Sequence, residues 1–507
     1  MFKKSIAFIS IACMLLTGCG AADTPAVTTA STTTAATTIQ TTTDATTTTE
    51  EPEVTTSATT AETPAEPVDT TSATTAATTT EPVETTTAAT TTATTVETTA
   101  ATTTTKPVTT AATTTTTTAA TTTTTVAATT TTATTAAATT TVATTAAPEE
   151  PVEVPANGMR NITTMQIVKE MGIGINLGNT YEACGDWIAQ WGDGTPESYE
   201  TAWGSPVITE KMIRGYKEAG FDSLRIPVAW SNLMGENYTI SREYMAAVRE
   251  VVDWALESDL YVIVNLHYDN GWLEHFPTNK KECMRRYVRI WEQVCEEFKD
   301  YGDHLIFESQ NEELGWSSVW NQWAGTKGKD ESYALVNEIN QKFVDVVRAS
   351  GGNNAERHLL IAGYNTGIET SCDPLYKMPV DPAGRCAVSV HYYTPPNFAI
   401  LTEDADWGKA HSTWGSSADF IELERNMDMM KENFVDKGIP VIIGEYGCPT
   451  ENKEMDSVRL FVTSVCEYAV ERDMCPVLWS TPGHFYDRDS CKMIDKKLHE
   501  MLLEAAK

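Results

Sequence analysis

The chain is short of positive charge, of metal-type cysteine spacing and of any glycine pattern for nucleotides. Against 69 Asp and Glu it carries 36 Lys and Arg, a formal net charge of −33. That balance argues against nucleic acid or other polyanions as partners and fits a neutral one. None of the 11 cysteines stands in a C-x-x-C or zinc-type spacing, so no metal centre is read from them. Neither G-x-G-x-x-G nor G-x-x-x-x-G-K-S/T follows the first strand-like run, which leaves nucleotide binding without support. Beyond Leu16 no apolar run is long enough for a transmembrane helix. From Gly20 to about Ala156 large apolar side chains are nearly missing as well, and Thr and Ala dominate. Such a stretch cannot offset its chain entropy by burial, so it is expected to form no core.

What is present divides the chain in three. Lys3 and Lys4 precede an apolar run from Ile6 to Leu16, the pattern of a signal peptide over 1–18. The run ends in Leu16-Thr17-Gly18-Cys19, which resembles the lipobox of bacterial lipoproteins. That resemblance implies cleavage before Cys19 and lipid attachment to it; the alternative is an ordinary signal peptide with an incidental cysteine. Residues 19–156 read as an extended tether, with hydroxyls open to glycosylation and a flexible-chain reach of roughly 60–70 Å. Residues 157–507, rich in Trp, Tyr and Ile, are long enough for a substantial core. The nine cysteines there (184, 283, 295, 372, 386, 448, 466, 475 and 491) are odd in number, and many sit in apolar runs. They read mostly as small core residues.

Strand-like runs alternate with helical patterns throughout this third part. The strands are expected at 172–177, 223–228, 261–266, 305–307, 359–362, 387–390, 441–443 and 477–479. Between them, Ser241 is a candidate N-cap for a helix whose face is Val248, Val251, Val252, Ala255 and Leu256. Tyr287, Ile290, Trp291, Val294, Cys295 and Phe298 mark a second face, and Leu335, Ile339, Phe343, Val346 and Val347 a third. Eight strand–helix units predict an α/β fold of the (β/α)8 TIM-barrel type; a doubly wound sheet is the competitor. The polar residues decide between them. Arg225, His267, Asn311 with Glu312, His391 and Glu445 fall at or just past the C-terminal ends of strand runs, with Trp479 at the last. Barrel active sites are built at that face from several strands.

Two carboxyls so placed, Glu312 and Glu445, are the minimum needed to cleave a glycosidic bond. The surrounding motifs resemble glycoside hydrolase family 5 and within it the endoglucanases of subfamily 4. Ile175-Asn176-Leu177-Gly178-Asn179-Thr180 is similar to the family's first strand; Glu200-Thr201-Ala202-Trp203-Gly204-Ser205-Pro206 and 220–230 are similar to that branch. His391-Tyr392-Tyr393, Ile443-Gly444-Glu445-Tyr446-Gly447 and Leu478-Trp479 resemble strands six to eight. The resemblance implies a retaining endo-β-1,4-glucanase with Glu445 as nucleophile and Glu312 as acid/base. It further implies that Arg225 and Tyr393 support Glu445, that Asn311 binds the sugar 2-hydroxyl, that His267 and His391 serve sugar binding and proton traffic, and that Trp479 floors the cleavage point. Asn179, Trp203 and Trp272 are candidate subsite residues. Glu308, one register before Asn311 and Glu312, reads as a buried supporting group.

The motif departs from the family pattern where Glu313 replaces a proline after the acid, placing a possible like charge beside Glu312, and where His267-Tyr268 replaces a histidine pair. The expected carboxyl separation is about 5–5.5 Å. No cofactor or metal is implied, and the partner is a β-glucan. The expectation is a monomer outside the cell, held to the envelope by its lipid alone. Xyloglucan, mixed-linkage glucan or mannan are alternative substrates; a non-catalytic polysaccharide-binding lipoprotein is the rival that would not need both glutamates.

Overall fold

Each of the eight apolar runs forms a short parallel strand, and the eight close on themselves. In the computed structural model, which describes residues 158–313, 319–322 and 327–507, they are β1 (Gly174–Asn176), β2 (Ser223–Ile226), β3 (Tyr261–Asn265), β4 (Leu305–Glu308), β5 (Leu359–Ala362), β6 (Cys386–Tyr392), β7 (Val441–Tyr446) and β8 (Cys475–Leu478). The expectations placed on the signal, Cys19 and the tether lie outside the described residues. β1 pairs with both β2 and β8 in parallel, which closes the barrel and excludes the doubly wound sheet. Strand cores match the sequence reading, but ends move. β1 starts late because Gly172 adopts φ 51° with Asp222 Oδ2 only 2.5 Å from where a Cβ would stand. β6 and β7 run further than their apolar stretches, since His391 and Glu445 pair across the two strands beyond an irregularity at Val390.

The helices follow from their caps and faces. Ser241 accepts from the backbone N–H of Tyr244 and starts Arg242–Glu257, which buries Val248, Val251, Val252 and Ala255, with Leu256 at the flank. Phe276–Glu297 buries Tyr287, Ile290, Trp291, Val294 and Cys295. Lys329–Ala349 buries Ile339, Phe343 and Val347, while Leu335 and Val346 are only partly covered. The barrel's N-terminal end is stopped by the helix Thr164–Glu170, begun by a capping box between Thr163 and Gln166. Its Ile167 and Val168, with Met171, join Ile263, Ile306, Leu360, Ile442 and Val477 in one apolar cluster. Below β5, Arg357 is fully buried and donates to the carbonyls of Phe298, Tyr301, Gly302 and Leu305 and to Asn354 Oδ1. All nine cysteines are free thiols, and six are buried. What remains for function is the opposite mouth.

Candidate active site

The floor of that mouth is made by polar residues inside strands, an arrangement that burial permits only if each is satisfied. Register places Asn176 beside Arg225, Asn265 beside Glu308 and Ala362 beside Ser389. Arg225 is wholly buried and acts as the hub. Its Nε donates to Glu308 Oε2 at 2.7 Å, Nη1 to Asn176 Oδ1 at 3.0 Å and to Glu445 Oε1 at 2.8 Å, and Nη2 to Asn311 Oδ1 at 3.0 Å. Glu308 also accepts from Ser389 Oγ at 2.6 Å, and Asn176 donates to the Gly444 carbonyl at 2.9 Å. The guanidinium therefore fixes one carboxylate below it and one above. Removing one member of such a buried ion network leaves an unpaired charge, at a cost of roughly 3–5 kcal/mol. Asn176, Ser389 and Asn265 were not singled out in the sequence. The signal was present: each is polar within an otherwise apolar strand.

Above this floor stand the expected reacting groups. Glu445 accepts from Tyr393 OH at 3.1 Å through Oε2, and His391 Nδ1 lies 3.6 Å from the same oxygen. His391 Nδ1 contacts Glu312 Oε1 at 2.7 Å. One oxygen of Glu312, one of Glu445 and a ring nitrogen of His391 lie within 4.8 Å of one another, the one such trio of possible metal-ligating groups among the described residues. Inverting carboxyl pairs stand roughly 6.5–9.5 Å apart, retaining pairs roughly 5–5.5 Å. The observed proximity falls on the retaining side. The two carboxyls are not equivalent: Glu445 is nearly enclosed, while Glu312 is more open.

Electrostatics separate the groups further. Burial pushes the Glu445 carboxyl above its ordinary value, opposed by His391 and Arg225 and assisted by the nearby Glu312. Burial disfavours charge on His391, but Glu445 and Glu312 together outweigh it and raise the imidazole above its usual value. His391 Nδ1 and Glu312 Oε1 thus share one short hydrogen bond. His267 goes the other way: burial, Arg225 and His391 hold it well below its ordinary value, so it is neutral. Its tautomer follows from its neighbours. Asn265 Oδ1 accepts from the Val228 N–H at 3.1 Å, so its amide donates to His267 Nδ1 at 3.1 Å and the ring proton sits on Nε2. The same ring lies parallel to Trp479, at 6° and 6.0 Å between centroids.

The remaining expected residues are distributed less uniformly. Asn311 is buried, and its oxygen is taken by Arg225, which leaves its amide hydrogens as the donors. Trp479 is partly exposed over Gly178, where a Cβ would come within 3.1 Å of the indole. Asn179 is buried at φ 58°, its N–H bound by Glu182, so its visible role is to turn the chain after β1. Trp203 is partly exposed. Trp272 is buried, donates to Asp269 Oδ2 at 2.6 Å and is covered by the Arg286 guanidinium 4.6 Å from its ring. Those contacts make it packing rather than an open sugar platform. Glu313 is buried, with both carboxyl oxygens lacking hydrogen-bond partners among the described residues; burial first, then Glu274, Glu312 and Asp269, push it well above its ordinary value. The shift favours its neutral form, which weakens the like charge expected beside Glu312.

A cavity of about 590 Å³ opens beside Glu312. Its walls include His391 of β6 and, from the segments after β5 and β6, Tyr364, Asn365, Tyr393 and Trp407; Glu445 is not among them. Trp407 is therefore at the cleft, whereas Trp414 packs against Phe420 and Phe461.

The sequence-family model described as "Cellulase (glycosyl hydrolase family 5)" matches residues 188–484. The chain is 36% identical over 362 residues to "Endoglucanase A" of Ruminococcus albus, spanning 69% of this chain and 94% of that one. Among solved structures, a "GH5-4 broad specificity endoglucanase from an uncultured bovine rumen ciliate" is 36% identical with a TM-score of 0.61, covering 68% of this chain and 98% of that one. A Bacteroides ovatus GH5 xyloglucanase in complex with a XXXG heptasaccharide is 30% identical with a TM-score of 0.61, covering 70% and 79%.

Proposed function

The chain belongs to glycoside hydrolase family 5, the cellulase family, and is an endo-β-glucanase of that family; from this premise we propose that it cleaves internal β-1,4-glucosidic bonds by a retaining double displacement with Glu445 as nucleophile and Glu312 as acid/base. The observation that carries the reading is the closeness of two unequal carboxyls: Glu445 is gripped by Arg225 and Tyr393, and Glu312 opens toward the cavity and is hydrogen-bonded to His391.

In the first step a Glu445 oxygen attacks the anomeric carbon as Glu312 delivers its proton to the departing glycosidic oxygen. The glycosyl ester that forms removes the Glu445 charge. Glu312 then loses the repulsion of a second carboxylate and accepts a proton from the incoming water, which releases the sugar and restores Glu445. Arg225 and Tyr393 keep the nucleophile anionic and aimed before attack. His391, hydrogen-bonded to Glu312, holds its carboxyl in place through both steps. The Asn311 amide is the donor for the sugar 2-hydroxyl, a contact that strengthens toward the oxocarbenium-like transition state. Trp479, held parallel to neutral His267, offers an aromatic face to the pyranose at the cleavage point. The cavity beside Glu312 then receives the leaving group, since the acid lies in its wall and the nucleophile does not.

Xyloglucan is the second reading, favoured by the similarity to the Bacteroides ovatus enzyme. Reducing-sugar release on cellulosic glucan, xyloglucan, mixed-linkage glucan and mannan separates the readings; hydrolysis of mannan alone overturns the glucan assignment. A 2-deoxy-2-fluoro cellobioside with a good leaving group should add its glycosyl mass to the peptide containing Glu445. Labelling elsewhere would remove the mechanism.

We also propose attachment outside the cell through a lipid on Cys19. The support is the lipobox-like Leu16-Thr17-Gly18-Cys19 and the point of chain entry: the Gly158 carbonyl accepts from the Asp303 N–H just ahead of β4, at the barrel end away from the cleft. Gly158, the first described residue, is thus held at the face opposite the site. Metabolic labelling with a radiolabelled fatty acid tests this, and a Cys19→Ala chain that still takes up label would refute it.

A further inference from the structure

The segment 178–209, which leaves β1 at the cleft end of the barrel, carries two of the most exposed aromatic side chains among the described residues. Trp191 is 83% exposed and Trp187 44%. We propose that this pair forms an outlying platform that holds the β-glucan chain beyond the cleft; the proposal rests on the glucanase reading and deepens it by naming a further binding surface for the same substrate.

The two tryptophans sit at i and i+4 on the helix Asp186–Trp191. They therefore share one face, about 6 Å apart along its axis. Ile188 is the one buried residue of that helix and anchors it, so the tryptophans are turned away from the core. Trp187 is also braced. Gly185 adopts φ 139°, and a Cβ there would lie 2.7 Å from the indole Nε1. Only glycine lets the ring lie down on the backbone at that point. A large rigid ring so placed presents contact area at a small cost in side-chain entropy.

The segment that carries the pair is tied to the site already described. Arg488, on the loop between the short paired strands Tyr486–Asp487 and Lys492–Met493, is buried. It donates to the Gly178 carbonyl at 2.6 Å, to Thr180 Oγ1 at 2.9 Å and to Ser205 Oγ at 2.7 Å. One guanidinium thus ties both ends of the segment, with Gly178 lying under Trp479 and Ser205 two residues past Trp203. Trp479, Trp203 and the exposed pair hang from a single frame.

The occupant follows from chemistry. Isolated exposed aliphatics such as Val380 and Ile494 are ordinary. The exposed tryptophans are different: besides this pair there is Trp407, 42% exposed in the wall of the cavity at Glu312. They follow β1 and β6, three strands apart around the ring, so they flank the reacting pair on its two sides. Indole faces complement the apolar faces of pyranose rings, and the acidic chain offers little to an anionic surface. A neutral sugar polymer longer than the cleft is the ligand that meets both ends.

The test is affinity electrophoresis of the folded enzyme in gels containing hydroxyethyl cellulose, in a Glu445→Gln background so that binding is read without hydrolysis. Adding Trp187→Ala and Trp191→Ala should weaken retention, with about a fivefold or greater rise in Kd. Trp191→Ala alone, at a site too exposed to disturb folding, should give part of that loss with an unchanged thermal midpoint. Retention of the triple variant equal to its Glu445→Gln parent would overturn the platform. A change from dimer to monomer at constant retention would overturn it too, by assigning the face to a second copy of the chain. If the Glu445→Gln parent itself migrates freely in every β-glucan gel, the glucanase reading falls and the platform with it.

Discussion

Arg225 and Arg357 are both wholly buried, one at each end of the same barrel, and they are used in opposite ways. Arg357 meets backbone carbonyls and one side-chain amide; with no carboxylate bound to it, burial lowers its guanidinium to about 9. Arg225 meets Glu308 and Glu445, and although burial works against its charge, those carboxylates raise it above the ordinary arginine value. The lower arginine satisfies loop carbonyls that would otherwise be stranded in the core. The upper one holds an anion ready at an opening. One residue type therefore serves folding at one end and chemistry at the other, with the difference set entirely by its partners.

That contrast can be broken by substitution. The largest effect is expected at the anion that Arg225 holds: Glu445→Gln should lower kcat by at least about 10⁴-fold with the thermal midpoint nearly kept. Arg225→Lys, which keeps charge but loses the planar fork, should lower kcat about 10²- to 10³-fold. Arg357→Lys should instead cost roughly 3 kcal/mol or more of stability, read by denaturant unfolding, while the folded fraction keeps its kcat. A loss of kcat in folded Arg357→Lys equal to that in Arg225→Lys would end the comparison.

pH sharpens it. Because Glu445 titrates above the ordinary value of 4.5 and must be anionic to attack, kcat/KM should fall as pH drops through that raised value. Arg225→Lys weakens the opposing pull, so its acid limb should move to higher pH. A further carboxyl should affect stability alone. Glu200 is buried, accepts from the Ile208 N–H and is raised by burial to about 7. Its folded value lies above its unfolded one, so its contribution is fully present below about 4.5 and is lost as pH rises through 7. Glu200→Gln should flatten that slope in unfolding free energy by roughly 1–3 kcal/mol. The smallest effect is expected at Glu313: burial favours its neutral form, so Glu313→Gln, an amide of the same shape, should change kcat by less than about threefold.

Much of this was legible because strands buried on both faces read as apolar runs, and an ionisable residue ending such a run marks the cleft end. Arg225, Glu312, His391, Tyr393 and Glu445 announce themselves in this way, and hydrogen bonds or ion pairs link all five. Strand ends were less legible, because Glu445 looks like a terminator yet β7 continues through it to Tyr446. Small neutral groups were missed: Asn176 and Ser389 carry no charge to advertise them, and only the closed barrel reveals that they meet Arg225 and Glu308. Trp272 misled, since an abundant aromatic says nothing about which of its faces is covered. Glu313 reads as a charge, and only its burial shows that the neutral form is favoured there.

The most direct test of the double displacement is the anomeric configuration of the first product, followed by proton NMR during the first minutes of cello-oligosaccharide hydrolysis. Retention predicts that the β-anomer appears first and relaxes to the equilibrium mixture by mutarotation. Initial release of the α-anomer would mean that water, not Glu445, attacks the sugar, and would contradict the account.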